Sequence, residues 1–153
     1  MQVSLYRIDE RLIHGQVMAL WLGRTGANTV VIVDEVSAQD DFMKQVYRLA
    51  APPNVTVDAV GIEKFREMVN APDGGNAIIL FKGPKEAHAA LSEGVPAGEL
   101  IIGNISAAAK RKKVTKFAYM SSEEMDLMAD LQAKGWSVNI QLLPTETKSA
   151  FKK

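Results

Sequence analysis

Two runs in this chain, Thr29–Asp34 (TVVIVD) and Ala77–Phe81 (AIILF), are apolar almost throughout. A half-exposed strand alternates apolar and polar residues, so an unbroken apolar run fits a strand covered on both faces. Helices on the two sides of a parallel sheet give that cover. Further β-branched or apolar runs place strands at Val3–Ile8, Val55–Val60, Leu100–Ile102, Phe117–Met120 and Ser137–Leu142. Amphipathic stretches between them place helices at Gln16–Thr25, Asp40–Ala50, Ile62–Asn70, Lys85–Glu93 and Ser122–Lys134. The alternation predicts an α/β fold: a single domain over residues 1–153, with an open, mainly parallel twisted sheet of about seven strands and helices on both faces.

Local signals agree with these boundaries. Ser121 or Ser122 can cap the helix that follows, with Glu123, Glu124 and Asp126 in its positive first turn. Gly135 stands just past its end, and Pro84 suits a first helical turn. APDGG (Ala71–Gly75) and EGVPAG (Glu93–Gly98) read as turns. In an open parallel sheet, ligands bind beyond the carboxyl ends of the strands. The loops predicted to converge there carry Asp9–Gln16, Asp34–Glu35, Gly61, Lys82–Gly83, Gly103–Asn104 and Pro144–Thr145.

Charge and cysteine usage exclude several classes. Eighteen Lys and Arg balance eighteen Asp and Glu, whereas nucleic-acid and membrane-surface binders usually carry a basic excess. With no cysteine, disulfides, thiolate metal sites and cysteine nucleophiles are ruled out. The start, MQVSLYRIDE, lacks the apolar core of a signal peptide, and no apolar run reaches the ~20 residues that cross a bilayer. A cytoplasmic protein is expected. Signatures of a P-loop, a dinucleotide fold, a zinc site and a nucleophile elbow are absent from the sequence, so the expectation is no metal and no organic cofactor.

Chemistry concentrates in RIDERLIHGQV, Arg7–Val17. A neutral imidazole is available as a nucleophile near neutral pH, because its unperturbed pKa is about 6.5. Histidine can carry a covalent intermediate that splits one transfer into two easier ones. His14 stands where a helix is expected to begin, and free amides together with the helix dipole favour an anion there. Gly15 removes a side chain where the backbone must come close. Arg11 offers a fork of donors to phosphate oxygens. Asp9 or Asp34 could hold the imidazole in one tautomer. The plainer alternative is an ordinary polar histidine beside a surface ion pair of Glu10 and Arg11. The residues alone therefore define a candidate anion site.

RIDERLIHGQV resembles the active-site motif of the IIB domain in the mannose/fructose/sorbose family of the bacterial sugar phosphotransferase system. The likeness extends along the chain through VIVDEV (Val31–Val36), IIGNI (Ile101–Ile105) and LLPTE (Leu142–Glu146). It implies an open, mainly parallel α/β fold and a phosphoryl carrier. His14 would accept a phosphoryl group from a phosphorylated IIA protein and donate it to a sugar at the membrane IIC/IID complex. Arg11 would bind the phosphate, and the loop Leu12, Ile13, Gly15 and Gln16 would supply backbone donors. The other IIB classes carry the phosphoryl group on cysteine, which this chain lacks. With no second domain after Lys153, the IIA partner is expected as a separate chain. The oligomeric state stays open, dimers and larger assemblies included. The run AAAKRKKV (Ala107–Val114) matches no feature of the family.

The rival functions are a non-catalytic anion- or nucleotide-binding module and a regulatory protein that keeps the fold without transfer. Several residues carry two readings. Lys110–Lys113 is a solvated loop or a docking patch for an acidic partner. Asp34 forms a turn or joins the cleft, and Asn104 is a turn residue or a polar lining group. His88, within a helix among alanines, reads as structural. Met120, Met125 and Met128 read as core filler. Trp21 and Trp136 read as packing residues, with an exposed Trp21 pointing instead to docking.

Overall fold

The computed structural model describes all residues, 1–153. Strand β1 (Gln2–Ile8) leads into helix α1 (Gly15–Thr25), β2 (Thr29–Val33), the short α2 (Glu35–Ala38), α3 (Asp41–Ala50) and β3 (Thr56–Val60). Helix α4 (Ile62–Asn70), β4 (Asn76–Phe81), α5 (Pro84–Leu91) and β5 (Glu99–Ile102) follow. The chain closes with β6 (Lys112–Lys113), β7 (Tyr119–Met120), α6 (Ser122–Ala133), β8 (Ser137–Ile140) and β9 (Ser149–Ala150).

The main sheet has seven strands in the order β3-β2-β4-β1-β5-β8-β9. All its pairings are parallel except that of β9 with β8. Side chains alternate between two apolar layers. Leu5, Val30, Ile32, Ile78 and Leu80 pack with Met18, Trp21 and Leu22 of α1. Tyr6, Ile8, Val31, Ile79 and Phe81 pack with Phe65 of α4, Leu91 of α5 and Met128 and Leu131 of α6. This two-sided cover is what the uninterrupted runs in β2 and β4 require.

Capping fixes the helix ends. Ser121, not Ser122, caps α6: its side chain accepts from the Glu124 amide, and the Glu124 carboxylate accepts from the Ser121 amide in return. Gly135, at φ 98°, takes the left-handed turn after that helix.

One expected strand has a different place. Of Phe117–Met120, Tyr119 and Met120 pair antiparallel with Lys112–Lys113 in a separate two-stranded sheet, and Ala118 forms a single parallel bridge with Ile105 just past β5. The amides of Val114 and Thr115 both donate to the Ala118 carbonyl, which closes this hairpin locally and leaves the Ile105 bridge as its pairing beside β5. The seventh strand is instead β9, a pair of exposed residues without an apolar run to mark it. The short helix α2 is a further element that the sequence did not signal.

Candidate functional site

β1 occupies the middle of the sheet between β4 and β5, so the loop after Ile8 leaves from its centre. That loop is pinned at once. The Asp9 amide donates to Phe81 O on β4 (3.0 Å), and the Glu10 amide donates to Asn104 O beyond β5 (3.0 Å). The Leu12 amide turns back to Asp9 O (2.9 Å), with Leu12 itself in the left-handed region at φ 54°. Gly15, at φ 34°, then opens α1, one residue earlier than expected.

The turn folds round a carboxylate with no solvent exposure, that of Asp9. Its Oδ1 accepts from the Arg11 amide (3.0 Å) and lies 3.5 Å from Arg11 Nε. Its Oδ2 accepts from Arg7 Nη2 (3.4 Å) and faces His14 Nε2 at 3.9 Å. Arg7 is also fully buried. Its guanidinium donates to Gln141 O (2.8 Å) and Leu142 O (3.0 Å) and lies over the Trp21 ring at 5.1 Å. Burial pushes the Arg7 pKa down to about 10, with Asp9 pulling the other way. Trp21 Nε1 donates to the same Leu142 carbonyl (3.1 Å), which ties α1 to the segment after β8.

His14 is the N-cap residue of α1, and its side chain keeps 21% of its exposure. Nδ1 lies 3.1 Å from Leu12 O. A carbonyl only accepts, so the neutral ring carries its proton on Nδ1 and its lone pair on Nε2. Nε2 is buried and has no hydrogen-bond partner. The first amides of α1, at Gly15, Gln16 and Val17, have no protein acceptor, and Gly15 and Gln16 are exposed. Arg11 keeps 43% of its side-chain exposure beside them. The arrangement is a shallow anion seat with a histidine at its edge.

Of the residues singled out in the sequence, Asp9, Arg11, Leu12, Ile13, His14, Gly15 and Gln16 come together in this turn, with Leu12 and Ile13 buried as its apolar anchors. Asp34 does not join them, because β4 lies between β2 and β1. Its carboxylate caps α2, accepting from Ser37 N (3.2 Å) and Ser37 Oγ (2.5 Å). Asn104 braces the turn indirectly, donating from Nδ2 to Glu10 Oε1 (3.2 Å). Glu10 also accepts from the amide and hydroxyl of Ser106, so the carboxylate beside Arg11 is Asp9 and not Glu10. Sequence reasoning passed over Arg7. The signal was there, a cation inside an otherwise apolar strand end.

Outside the turn, Arg111 donates to both Glu124 carboxylate oxygens (2.9 Å each), while Lys112 and Lys113 stay exposed on β6. His88 faces Asp130 at 2.7 Å, Trp21 is buried, and Trp136 donates to Leu91 O. A cleft of about 740 Å³ runs along the rim past Glu10, Lys82, Lys110 and Glu123. His14 is not among its walls.

The family model described as "PTS system sorbose subfamily IIB component" matches residues 3–153. This chain belongs to that family. It is a IIB component of a sugar phosphotransferase system, and so a phosphotransferase. The chain is 28% identical over 153 residues to the PTS system fructose-specific EIIB component of Bacillus subtilis (strain 168), covering 99% of this chain and 94% of that protein. It is 27% identical over 150 residues to the PTS system mannose-specific EIIAB component of Escherichia coli (strain K12), spanning 97% of this chain and 46% of that longer protein. Among solved structures, the IIBSor domain of the sorbose permease from Klebsiella pneumoniae superimposes with a TM-score of 0.90 at 26% identity, over 98% of this chain and 93% of that one. The mainly parallel seven-stranded sheet is thus the fold of this IIB family. No helix of the chain is long and apolar enough to cross a membrane.

Proposed function

We propose that His14 is the residue that carries the phosphoryl group. The observation that supports this most strongly is the pairing of a part-exposed imidazole with the unpaired amides of Gly15, Gln16 and Val17 at the same helix start. A phosphoryl group on the His14 ring would lie over those amides and within reach of the Arg11 guanidinium. In the transfer, a neutral His14 nitrogen attacks the phosphorus of a phosphohistidine on the IIA partner. The new N–P bond forms as the old one breaks, and the donor imidazole leaves with the electron pair. The second step reverses the roles: a sugar hydroxyl attacks phospho-His14, the N–P bond breaks with its electron pair staying on the imidazole, and the hydroxyl proton passes to that freed nitrogen.

The resting ring is not set for attack. Nε2, which holds the lone pair, is turned toward Asp9 and away from solvent. Exposing it takes a turn of the imidazole that gives up the contact with Leu12 O. The fused IIA and IIB in the name of the mannose relative supports a IIA protein as donor. A sugar held by a membrane IIC/IID complex on the cytoplasmic side is the proposed acceptor, in keeping with a part-exposed histidine that a bulky partner can reach. Arg11 offsets charge on the moving phosphoryl group, and Asp9 holds both Arg11 and the ring.

The test is a reconstituted relay of phosphoenolpyruvate, enzyme I, HPr and IIA proteins, run with wild type beside His14→Gln. An acid-labile, alkali-stable label on the wild type that is absent from the variant is the expected result. A folded wild type that takes up no label from any IIA tried leaves an anion-binding module as the better account.

A further inference from the structure

Helix α3 contains no buried residue at all. Its sequence, DFMKQVYRLA, is nevertheless strongly amphipathic, with Phe42, Met43, Val46, Tyr47, Leu49 and Ala50 on one side. Only half of that apolar side meets the sheet. Tyr47 packs against the α1-side core and its hydroxyl lies 3.3 Å from Ser37 Oγ. On the flank away from it, Phe42 is 75% exposed, Val46 39% and Leu49 85%, and Val36 on the adjoining α2 is 77% exposed. The helix is not free to roll this stripe inward, because Lys44 and Arg48 hold Asp58 of edge strand β3 at 3.8 and 3.7 Å on the opposite flank.

Phe42, Val46 and Leu49 are spaced by four and then three residues, the step of a seam that receives another helix. Together with Val36 they offer on the order of 500 Å² of apolar side chain, at the upper end of what a monomer leaves in one patch. Two such faces together bury about 1,000 Å², the floor for a specific interface. Asp40 and Asp41 stand at the start of α3 and Arg48 at its end. An antiparallel pair of α3 helices keeps the two acidic starts at opposite ends of the contact and opposes the helix dipoles. A parallel pair would set like charges together. Each of the other five helices buries at least one residue, so α3 is the helix of this chain that lacks a partner.

We infer that α3 is the contact surface between two copies of this chain, packed antiparallel about a twofold axis near Val46. The contact is isologous, with Phe42 of one copy against Leu49 of the other. The active turn is left uncovered, because His14 stands beyond the carboxyl end of β1, two strands in from β2. The inference does not depend on the carrier role of His14.

Sedimentation equilibrium of the full chain, from about 1 µM to several hundred µM, reads it directly. Wild type is expected to show a monomer–dimer equilibrium in that range. Leu49→Glu and Phe42→Ser weaken it by about thirtyfold or more with unchanged circular dichroism, since neither side chain is part of the core. The absence of native cysteine allows an orientation check. Phe42→Cys and Leu49→Cys chains, mixed and oxidised, form the 42–49 cross-link in preference to the 49–49 one. A wild type that stays monomeric throughout, or a dimer that Leu49→Glu leaves intact, overturns the inference. So does a stripe whose substitutions abolish binding to anionic lipid vesicles while the wild type shows no dimer.

Discussion

Arg7 and Asp9 form an ion pair at 3.4 Å in which neither side chain has any exposure to solvent. It lies directly beneath the histidine turn and joins three segments distant in sequence: the end of β1, α1 through Trp21, and the stretch after β8 through Gln141 and Leu142. Burying two charges is costly, and the pair is tolerated because each partner is also held by hydrogen bonds. The expected gain is placement of the loop more than stability.

Removing one member of such a pair strands the other. Arg7→Met is expected to destabilise the fold by about 3–5 kcal/mol, since the Asp9 charge loses its only buried counter-ion. Urea unfolding of Arg7→Met, Asp9→Leu and the double variant measures the coupling. The double variant should be more stable than the sum of the single losses implies. Simple additivity would show that the pair does not act as a unit.

Asp9 also faces His14 and holds both the amide and the side chain of Arg11. Asp9→Asn keeps the shape but loses the charge that positions both. Phosphoryl uptake by the folded variant should slow by about 10- to 100-fold, the cost of a modest misplacement of reacting groups. The check is a rapid-quench time course with phosphorylated IIA in excess. Unchanged uptake would confine Asp9 to a structural role.

Gly15 tests the loop geometry from another side. A Cβ there meets nothing within 4 Å, yet the backbone sits at φ 34°. Gly15→Ala is therefore expected to cost about 1–2 kcal/mol through backbone strain alone. Because the strain falls between His14 and the free amides of α1, phosphoryl uptake should fall as well. Thermal unfolding beside the uptake assay separates the two effects.

The legible parts of the fold were those in which one residue pattern has one structural solution. The apolar runs in β2 and β4 demand two-sided cover, and RIDERLIHGQV places its polar atoms at the exit of a strand. What stayed hidden was pairing. An apolar run such as Phe117–Met120 announces extension but not its neighbour, and here a local hairpin claims it. The position of Asp34 depended on strand order, which the sequence does not carry, and the insertion of β4 between β2 and β1 moved it out of the site. Arg7 looked like one more strand residue. Its role exists only because Gln141, Leu142 and Trp21 arrive from elsewhere in the chain.

A pH effect follows from Glu124, which accepts from both the Ser121 amide and the Arg111 guanidinium. Burial pushes its pKa up, but the hydrogen bonds from Arg111 and Ser121 outweigh that and hold the carboxyl below its usual value. A group whose folded pKa is depressed contributes stability above its unfolded pKa, near 4.5, and loses it as pH falls through the folded value. Glu124→Gln should cost about 1–2 kcal/mol at pH 7, with the gap from wild type closing below about pH 4. Denaturation midpoints from pH 3 to pH 7 measure it. A gap independent of pH would show that the charge contributes nothing.

The tightest constraint on the site is Gly103, after β5. A Cβ built there would collide with the Arg7 guanidinium, coming within 2.5 Å of its Cζ and 2.9 Å of Ile8 O. Its amide is committed as well, donating to Ile8 O at 2.7 Å. Real Cβ contacts are never this close, so Gly103→Ala must displace either β5 or Arg7, at about 1–3 kcal/mol. Moving Arg7 also loosens Asp9, so phosphoryl uptake should fall together with stability. In an Arg7→Met background the obstructing guanidinium is gone, and the additional cost of Gly103→Ala should shrink by half or more, a departure from additivity that marks direct contact. An equal cost in both backgrounds would place the constraint on the backbone at Ile8 instead.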